Sequence, residues 1–199
     1  PGRTFPPGDP PGPASLIESA APVRLFRDLD VFADQFRGGA VTIGNFDGVH
    51  LGHARILERL AADARRASGP AVVFTFDPHP AEVLGAVEAP LPLCWPDRKA
   101  QLLAEWGADV LIAYPPSEAF LQLDPGQFFD QILRTRLAAR AVVEGPNFFF
   151  GRDRLGNIEL LGRLCEQAEM SLEVVAPVRC KGELVSSSRI RALLAAGDV

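Results

Sequence analysis

Short apolar runs rich in β-branched and aromatic residues recur along this chain, and stretches with helical spacing of apolar positions lie between them. That alternation constrains the fold more than any other feature. The runs cover residues 40–45, 71–76, 109–114, 141–144 and 172–176, and the segments that read as helices cover 28–36, 54–66, 96–105, 126–137, 158–169 and 186–196. Punctuation agrees with the pattern. Ser68-Gly69 ends one helix, Asp124-Pro125 supplies an N-cap followed by proline at the first helical position, and Gly197 stops the last helix. The expected fold class is therefore α/β, a Rossmann-like parallel sheet with helices on both faces. In such sheets the ligand site lies beyond the carboxyl ends of the strands.

A chain of 199 residues, 47% of them hydrophobic, suits one core-forming domain. Residues 1–21, opening Pro1-Gly-Arg-Thr-Phe-Pro-Pro-Gly-Asp-Pro-Pro-Gly-Pro13, are too rich in proline and glycine for a helix or a central strand. They read as a disordered head, or as a Pro-rich ligand for a partner domain. A net charge of −5 provides no broad basic footprint, so nucleic acid is not an expected partner. No apolar run has the length to span a bilayer and no signal peptide is evident, so no membrane association is expected. Cys94, Cys165 and Cys180 are widely spaced, without metal-ligand spacing or a disulfide framework. Free thiols in a reducing compartment, and hence a cytoplasmic location, are the expectation. Oligomeric state is not legible.

Unusual polar segments follow the strand-like runs. After the first comes Gly44-Asn-Phe-Asp-Gly-Val-His-Leu-Gly-His53. A glycine-marked turn leads to His50 and His53 where a helix begins, and free N–H groups there, with imidazoles able to carry charge, suit phosphate binding. The H-x-G-H spacing fits stabilisation of charge developing at a nucleotide's α-phosphate. Gly44 and Gly48 permit tight backbone geometry, and Gly52 leaves room for a triphosphate against the backbone. Asp47 either places a metal or ribose or is simply a turn residue before Gly48. No third ligand stands at a spacing that would complete a zinc site.

Asp77-Pro-His-Pro80 follows the second run, and His79 between its prolines either faces a ligand pocket or ends the strand. Asn147-Phe-Phe-Phe-Gly151, with Arg152, Asp153 and Arg154, follows the fourth. Its phenylalanines face an aromatic ligand or belong to the core, and Asn147 and the arginines are candidate ligand contacts. Ser186-Ser-Ser-Arg-Ile-Arg191 opens the last helix. Capping accounts for one serine, whereas three followed by Arg-x-Arg suit phosphate. There is no P-loop and no G-x-S-x-G elbow, and no group of residues supplies a covalent nucleophile. A reaction in which a substrate's own phosphate attacks ATP needs none.

Gly44 to His53, Phe76-Asp-Pro-His-Pro80, Gly145-Pro-Asn-Phe-Phe-Phe-Gly151 and Ser186 to Arg191, in this order, resemble the motifs of prokaryotic FAD synthetase. The similarity is to its FMN adenylyltransferase module, within the H-x-G-H nucleotidyltransferase superfamily. Residues 99–109 and 123–133 resemble that family's connecting segments, and the resemblance covers about residues 23–199. It implies one nucleotidyltransferase domain over residues 22–199, without the family's riboflavin kinase module, that transfers AMP from ATP to FMN. The products would be FAD and pyrophosphate, and Mg²⁺ would be held through phosphates and water rather than by a protein cage. By the same resemblance His50, His53, Ser187 and Arg191 are the catalytic candidates. With Gly44, Asn45, Phe46, Asp47, Gly48, Ser186 and Ser188 they would form the ATP site. His79, Asn147, Phe148, Phe150 and Arg152 would form the flavin site. One position departs: Phe149 stands where many members carry an arginine. The alternatives are a nucleotidyltransferase with a different phosphorylated acceptor, and a flavin- or nucleotide-binding module with weak catalysis.

Overall fold

The computed structural model describes residues 22–32, 34–85 and 90–198. The expectation of a disordered head falls on residues outside that set. In chain order the elements are β1 (Arg24–Phe26), β2 (Ala40–Ile43), α1 (Leu51–Ala67), β3 (Ala71–Phe76), α2 (Pro80–Val83), α3 (Pro96–Glu105), β4 (Val110–Tyr114) and α4 (Glu118–Leu121). There follow α5 (Pro125–Phe128), continued by a π-helical segment Phe129–Arg136, then β5 (Ala141–Glu144), β6 (Phe149–Phe150), β7 (Gly156–Asn157) and α6 (Ile158–Gln167). The chain closes with β8 (Ser171–Val174), the hairpin β9 (Arg179–Cys180) and β10 (Glu183–Leu184), and α7 (Ser187–Ala196).

Six strands form one sheet in the order β1-β4-β3-β2-β5-β8. Every pairing in it is parallel. The pleat sorts side chains to two buried layers. Val41, Ile43, Val72, Phe74, Val110, Ile112 and Val142 face the α5 and α6 side, against Phe129, Leu133 and Leu161. Ala40, Ala71, Val73, Leu111, Ala141 and Val143 face α1 and α3, against Leu57, Leu60 and Leu103. The expected doubly covered parallel sheet is what forms.

Boundaries differ where local chemistry decides. The segment read as a helix over 28–36 yields only a 3-10 turn at Asp34–Phe36. Helix α1 begins at Leu51, so His53 lies inside its first turn instead of before it. Strand β1 was not expected; its three residues are bounded by no turn signal, and only pairing with β4 defines it. Among the described residues no helix is long and apolar enough to cross a membrane.

The chain steps from β2 out to β3 and β4, then returns to the other side of β2 with β5. Between β2 and β5 the backbone ladder covers only Ala40–Ala141 and Val41–Val142. Beyond it the Ile43 N–H donates to the carboxylate Oε1 of Glu144 at 2.6 Å instead of to a carbonyl. Thr42 Oγ1 donates to the same oxygen at 3.4 Å. A side chain thus stands in for the missing strand neighbour, and the sheet opens there. That is the topological switch point, where α/β sheets place their ligands.

Candidate active site

Four chain segments converge on the carboxyl edge around this opening. In the turn after β2, Gly44 N–H still donates to Phe74 O (3.0 Å), and the chain then leaves the sheet. The Asn45 carbonyl accepts from Thr75 Oγ1 (3.2 Å) and from Lys99 Nζ (2.8 Å). Phe46, Gly48 and Val49 all have positive φ, at 45°, 77° and 37°. Only the glycine adopts that region without cost; a β-branched residue there persists because its surroundings over-determine it. Phe46 and Val49 are both buried in the α1-side core, which holds the turn in place.

Downstream of that turn, His50 caps α1, its Nδ1 accepting from the His53 N–H at 3.3 Å. The two rings stack with centroids 3.7 Å apart, and the Phe46 ring lies 4.8 Å from that of His53. Burial lowers the His50 pKa below its ordinary value, although its own backbone hydrogen bond and Asp47 oppose the change. Burial, then the charges of His50 and Lys99, push His53 down to about 3. Near pH 7 burial therefore favours the neutral form of the stacked pair. His53 Nδ1 is buried without a hydrogen-bond partner among the described residues. Gly52 is closely packed. A Cβ there would meet His50 Cε1 at 3.1 Å and Val185 O at 3.8 Å, so an imidazole and the approach to α7 pack over it.

Asp47 is neither a free ligand nor a mere turn residue. Its carboxylate accepts from the N–H groups of Leu93 (2.9 Å) and Cys94 (3.2 Å) and is ion-paired with Arg191 Nη2. Arg191 Nε also donates to Leu91 O at 2.6 Å. The Asp47 carbonyl accepts from Ser187 Oγ at 2.9 Å. Ser186 is accounted for by capping, since its Oγ accepts from the Arg189 N–H at 3.3 Å. Ser188 is exposed at the cavity wall.

His79 caps α2 by accepting from the Ala81 N–H at 3.1 Å through Nδ1. Its Nε2 lies 2.8 Å from the Asn45 side-chain amide nitrogen. Burial is the main cause of the lowered His79 pKa.

This Asn45–His79 contact, with Phe76 behind it, divides two adjoining cavities. The larger, about 680 Å³, is walled by Phe76, Phe120, Phe128, Phe148 and Phe150, with Asn147 and Arg152 at its polar side. The phenylalanine run divides between core, cavity wall and surface. Phe150 is 5% exposed and packs on Phe128 at 5.8 Å as core. Phe148 stacks on Phe150 at 5.4 Å, and Phe149 is exposed beneath the Arg154 guanidinium at 4.9 Å. Gly151, at φ 72°, lets this loop touch Pro125, where a Cβ would come within 2.8 Å of the backbone nitrogen.

The smaller cavity, about 450 Å³, is walled by Asp47, Trp95, Lys99, Ser187, Ser188 and Arg191 among others. His50 and His53 line neither cavity. They sit behind the turn that does, at the start of α1. Lys99, Trp95 and Glu144 were not singled out from sequence. Lys99 and Trp95 carry no local signal, being one charge and one aromatic at the start of a polar-faced helix. Glu144 had one: a carboxylate closing an otherwise apolar strand, and here it is fully buried with its pKa raised well above the ordinary carboxylate range by that burial.

Comparison with known proteins agrees with this architecture. The sequence profile of the FAD synthetase family matches residues 33–189. A bifunctional riboflavin kinase/FMN adenylyltransferase of Pseudomonas fluorescens is 34% identical over 176 residues, covering 88% of this chain and 56% of that protein. The enzyme of the same name from Escherichia coli K12 is 31% identical over 174 residues, covering 87% and 56%. The chain thus spans a little over half the length of these relatives. Among solved structures, a chain described as a macrolide-efflux protein from Streptococcus pneumoniae superposes with a TM-score of 0.77 at 24% identity, over 90% of this chain and 58% of that one. Pantothenate synthetase from Thermus thermophilus superposes at 0.56 with 18% identity, over 84% and 67%. These two show the fold alone. With the profile matched across most of its length, the chain belongs to the FAD synthetase family.

Proposed function

We propose that this chain is an FMN adenylyltransferase, transferring AMP from ATP to FMN to give FAD and pyrophosphate, and that residues 22–198 act as one catalytic unit. The observation that carries the reading is the pair of cavities meeting at Asn45 and His79 over the opened β2–β5 edge. The phenylalanine-walled cavity has the size and lining for a flat aromatic ring system such as the isoalloxazine. Its neighbour, with two serines, Arg191 and Lys99 in its wall, suits a nucleotide. An acceptor phosphate entering from the flavin side meets the nucleotide's α-phosphate at the shared wall.

The reaction requires an FMN phosphate oxygen to bond to Pα while the Pα–O bond to the β-phosphate breaks, its electron pair leaving with pyrophosphate. The attacking oxygen is already anionic, so no general base is demanded. The chain's part is to hold both phosphates in line, exclude water and donate hydrogen bonds to oxygens that gain charge. The Ser188 hydroxyl at the cavity wall is a donor for that task, while Ser187, His50 and His53, bonded to or standing behind the turn after β2, hold that wall in place. Among the described residues no group of three or more His, Cys, Asp or Glu gathers to cage an ion. Asp47 is engaged by Arg191, and Asp77 by Arg27 at 2.8 Å. This donor set fits a magnesium ion that arrives on the phosphates and supplies charge neutralisation there.

The test is acceptor competition. Purified chain with ATP and Mg²⁺ receives FMN, riboflavin, nicotinamide mononucleotide or phosphopantetheine in separate tubes. FMN alone should be adenylylated, since riboflavin lacks the attacking phosphate, phosphopantetheine has no aromatic ring, and nicotinamide is a single ring too small to fill the phenylalanine-walled cavity. Preferential use of another phosphorylated acceptor would overturn the assignment.

A further inference from the structure

The wall of the smaller cavity holds two cationic side chains, Arg191 and Lys99, and they are not equivalent. Arg191 is neutralised by Asp47 and tied to Leu91 O. Lys99 has only the neutral Asn45 carbonyl as a hydrogen-bond partner among the described residues, and forms no ion pair with any carboxylate among them. One ammonium proton is used there and two remain as donors. The carboxylates sharing this wall are otherwise disposed: Asp47 by Arg191, Asp77 by Arg27, with Glu82 the remaining acid. The contact to Asn45 O places the ammonium at the turn dividing the two cavities, beside the residue that meets His79. Its charge also reaches both His53 and His79, lowering the pKa of each.

We infer that Lys99 is a substrate-binding residue of this site, its ammonium ligating the polyphosphate of the nucleotide at the wall between the two cavities. This rests on the nucleotide reading of the smaller cavity. An unpaired, half-buried ammonium beside neutral imidazoles and hydroxyls supplies the positive charge that the paired Arg191 and the neutral His50–His53 stack do not. The required ligand chemistry is a di- or triphosphate anion, and a charge-assisted contact of this kind counts in affinity more than a neutral one.

The experiment compares the wild-type chain with Lys99→Met and Lys99→Arg by calorimetric titration with ATP–Mg²⁺ and, separately, with pyrophosphate–Mg²⁺. FMN affinity, read from flavin fluorescence, and thermal unfolding accompany each variant. Lys99→Met should bind ATP and pyrophosphate about tenfold more weakly or worse, with FMN affinity within about twofold of wild type and an unchanged melting temperature. Lys99→Arg should recover most of the loss. Unchanged ATP and pyrophosphate affinity in Lys99→Met would overturn the inference. So would parallel loss of FMN binding with a lowered melting temperature, the signature of a purely structural tie to Asn45. Because these are binding measurements, wild type that binds ATP yet makes no FAD would refute the proposed activity while leaving the Lys99 comparison decisive.

Discussion

The guanidinium of Arg191, on the last helix, is ion-paired with the carboxylate of Asp47, 144 residues earlier in the turn after β2. The pair closes a circuit. Asp47 also holds the N–H groups of Leu93 and Cys94, Arg191 holds Leu91 O, and Ser187 holds the Asp47 carbonyl. Three distant segments are thereby fixed around one cavity by one carboxylate. Asp47→Ala leaves two backbone donors and a partly buried guanidinium without their acceptor. It should lower the unfolding free energy by about 2–4 kcal/mol, read from the denaturant midpoint. Arg191→Ala, which releases the start of the last helix from the turn and from the cavity wall, should reduce FAD formation by about tenfold to a hundredfold. A fully active Arg191→Ala would remove that residue from the site.

Acid sensitivity follows from His53. Its folded pKa of about 3 lies below the ordinary 6.5, so between those values the unfolded chain binds a proton that the folded chain does not. Its contribution is undiminished above pH 6.5 and is lost as pH falls toward 3. The slope approaches about 1.4 kcal/mol per pH unit within that window. His50 and His79 shift in the same direction. Denaturant unfolding of wild type and His53→Gln across pH 4–7 should show a shallower dependence in the variant; identical slopes would contradict it.

Glu144 works with the opposite sign. Burial raises its folded pKa, so its contribution is fully present below the ordinary 4.5 and is lost as pH rises from there. Glu144→Gln keeps an oxygen for the Ile43 N–H and removes the buried charge. The variant should be more stable than wild type at pH 7, with the difference narrowing as pH is lowered toward 4.5, when measured by thermal unfolding. Loss of stability at pH 7 would mean that the ionised carboxylate is required at the switch point.

The flavin-side loop offers a paired test. Gly151→Ala would strain a residue at φ 72° and drive its Cβ to within 2.8 Å of the Pro125 nitrogen, whereas a Cβ at Gly145 meets nothing within 4 Å. Gly151→Ala should lower stability by about 1–3 kcal/mol and raise the KM for FMN, because the same loop carries Asn147 and Phe148. Gly145→Ala should do neither. Equal behaviour of the two variants would separate this loop from the acceptor site.

How much of this was legible in the amino-acid sequence depended on whether the signal was local. Helix α3 over Pro96–Glu105 and strand β5 over Ala141–Glu144 match the sequence reading residue for residue, because proline, periodicity and β-branching act within the segment. The two-sided sheet was legible for the same reason. What escaped were contacts made across the fold. Nothing near Lys99 announces that it reaches the Asn45 carbonyl, and nothing in His50-Leu-Gly-His53 announces that the rings stack and stay neutral. Asp47 read as a turn residue or a ligand because its partner, Arg191, lies at the other end of the chain. The phenylalanine run read as core or as ligand contact; packing on Phe128, which only the fold brings near, makes Phe150 core while Phe148 stacks on it at the cavity wall.

The central claim is attack by the FMN phosphate on the α-phosphate of ATP, and isotope placement tests it most directly. The chain is incubated with FMN, Mg²⁺ and ATP carrying radioactive phosphorus at either the α or the γ position, and the flavin is separated from pyrophosphate. The account predicts that α label appears in FAD and γ label in pyrophosphate, in equal molar amounts. Label from the γ position in the flavin, or α label that never leaves ATP, would contradict it.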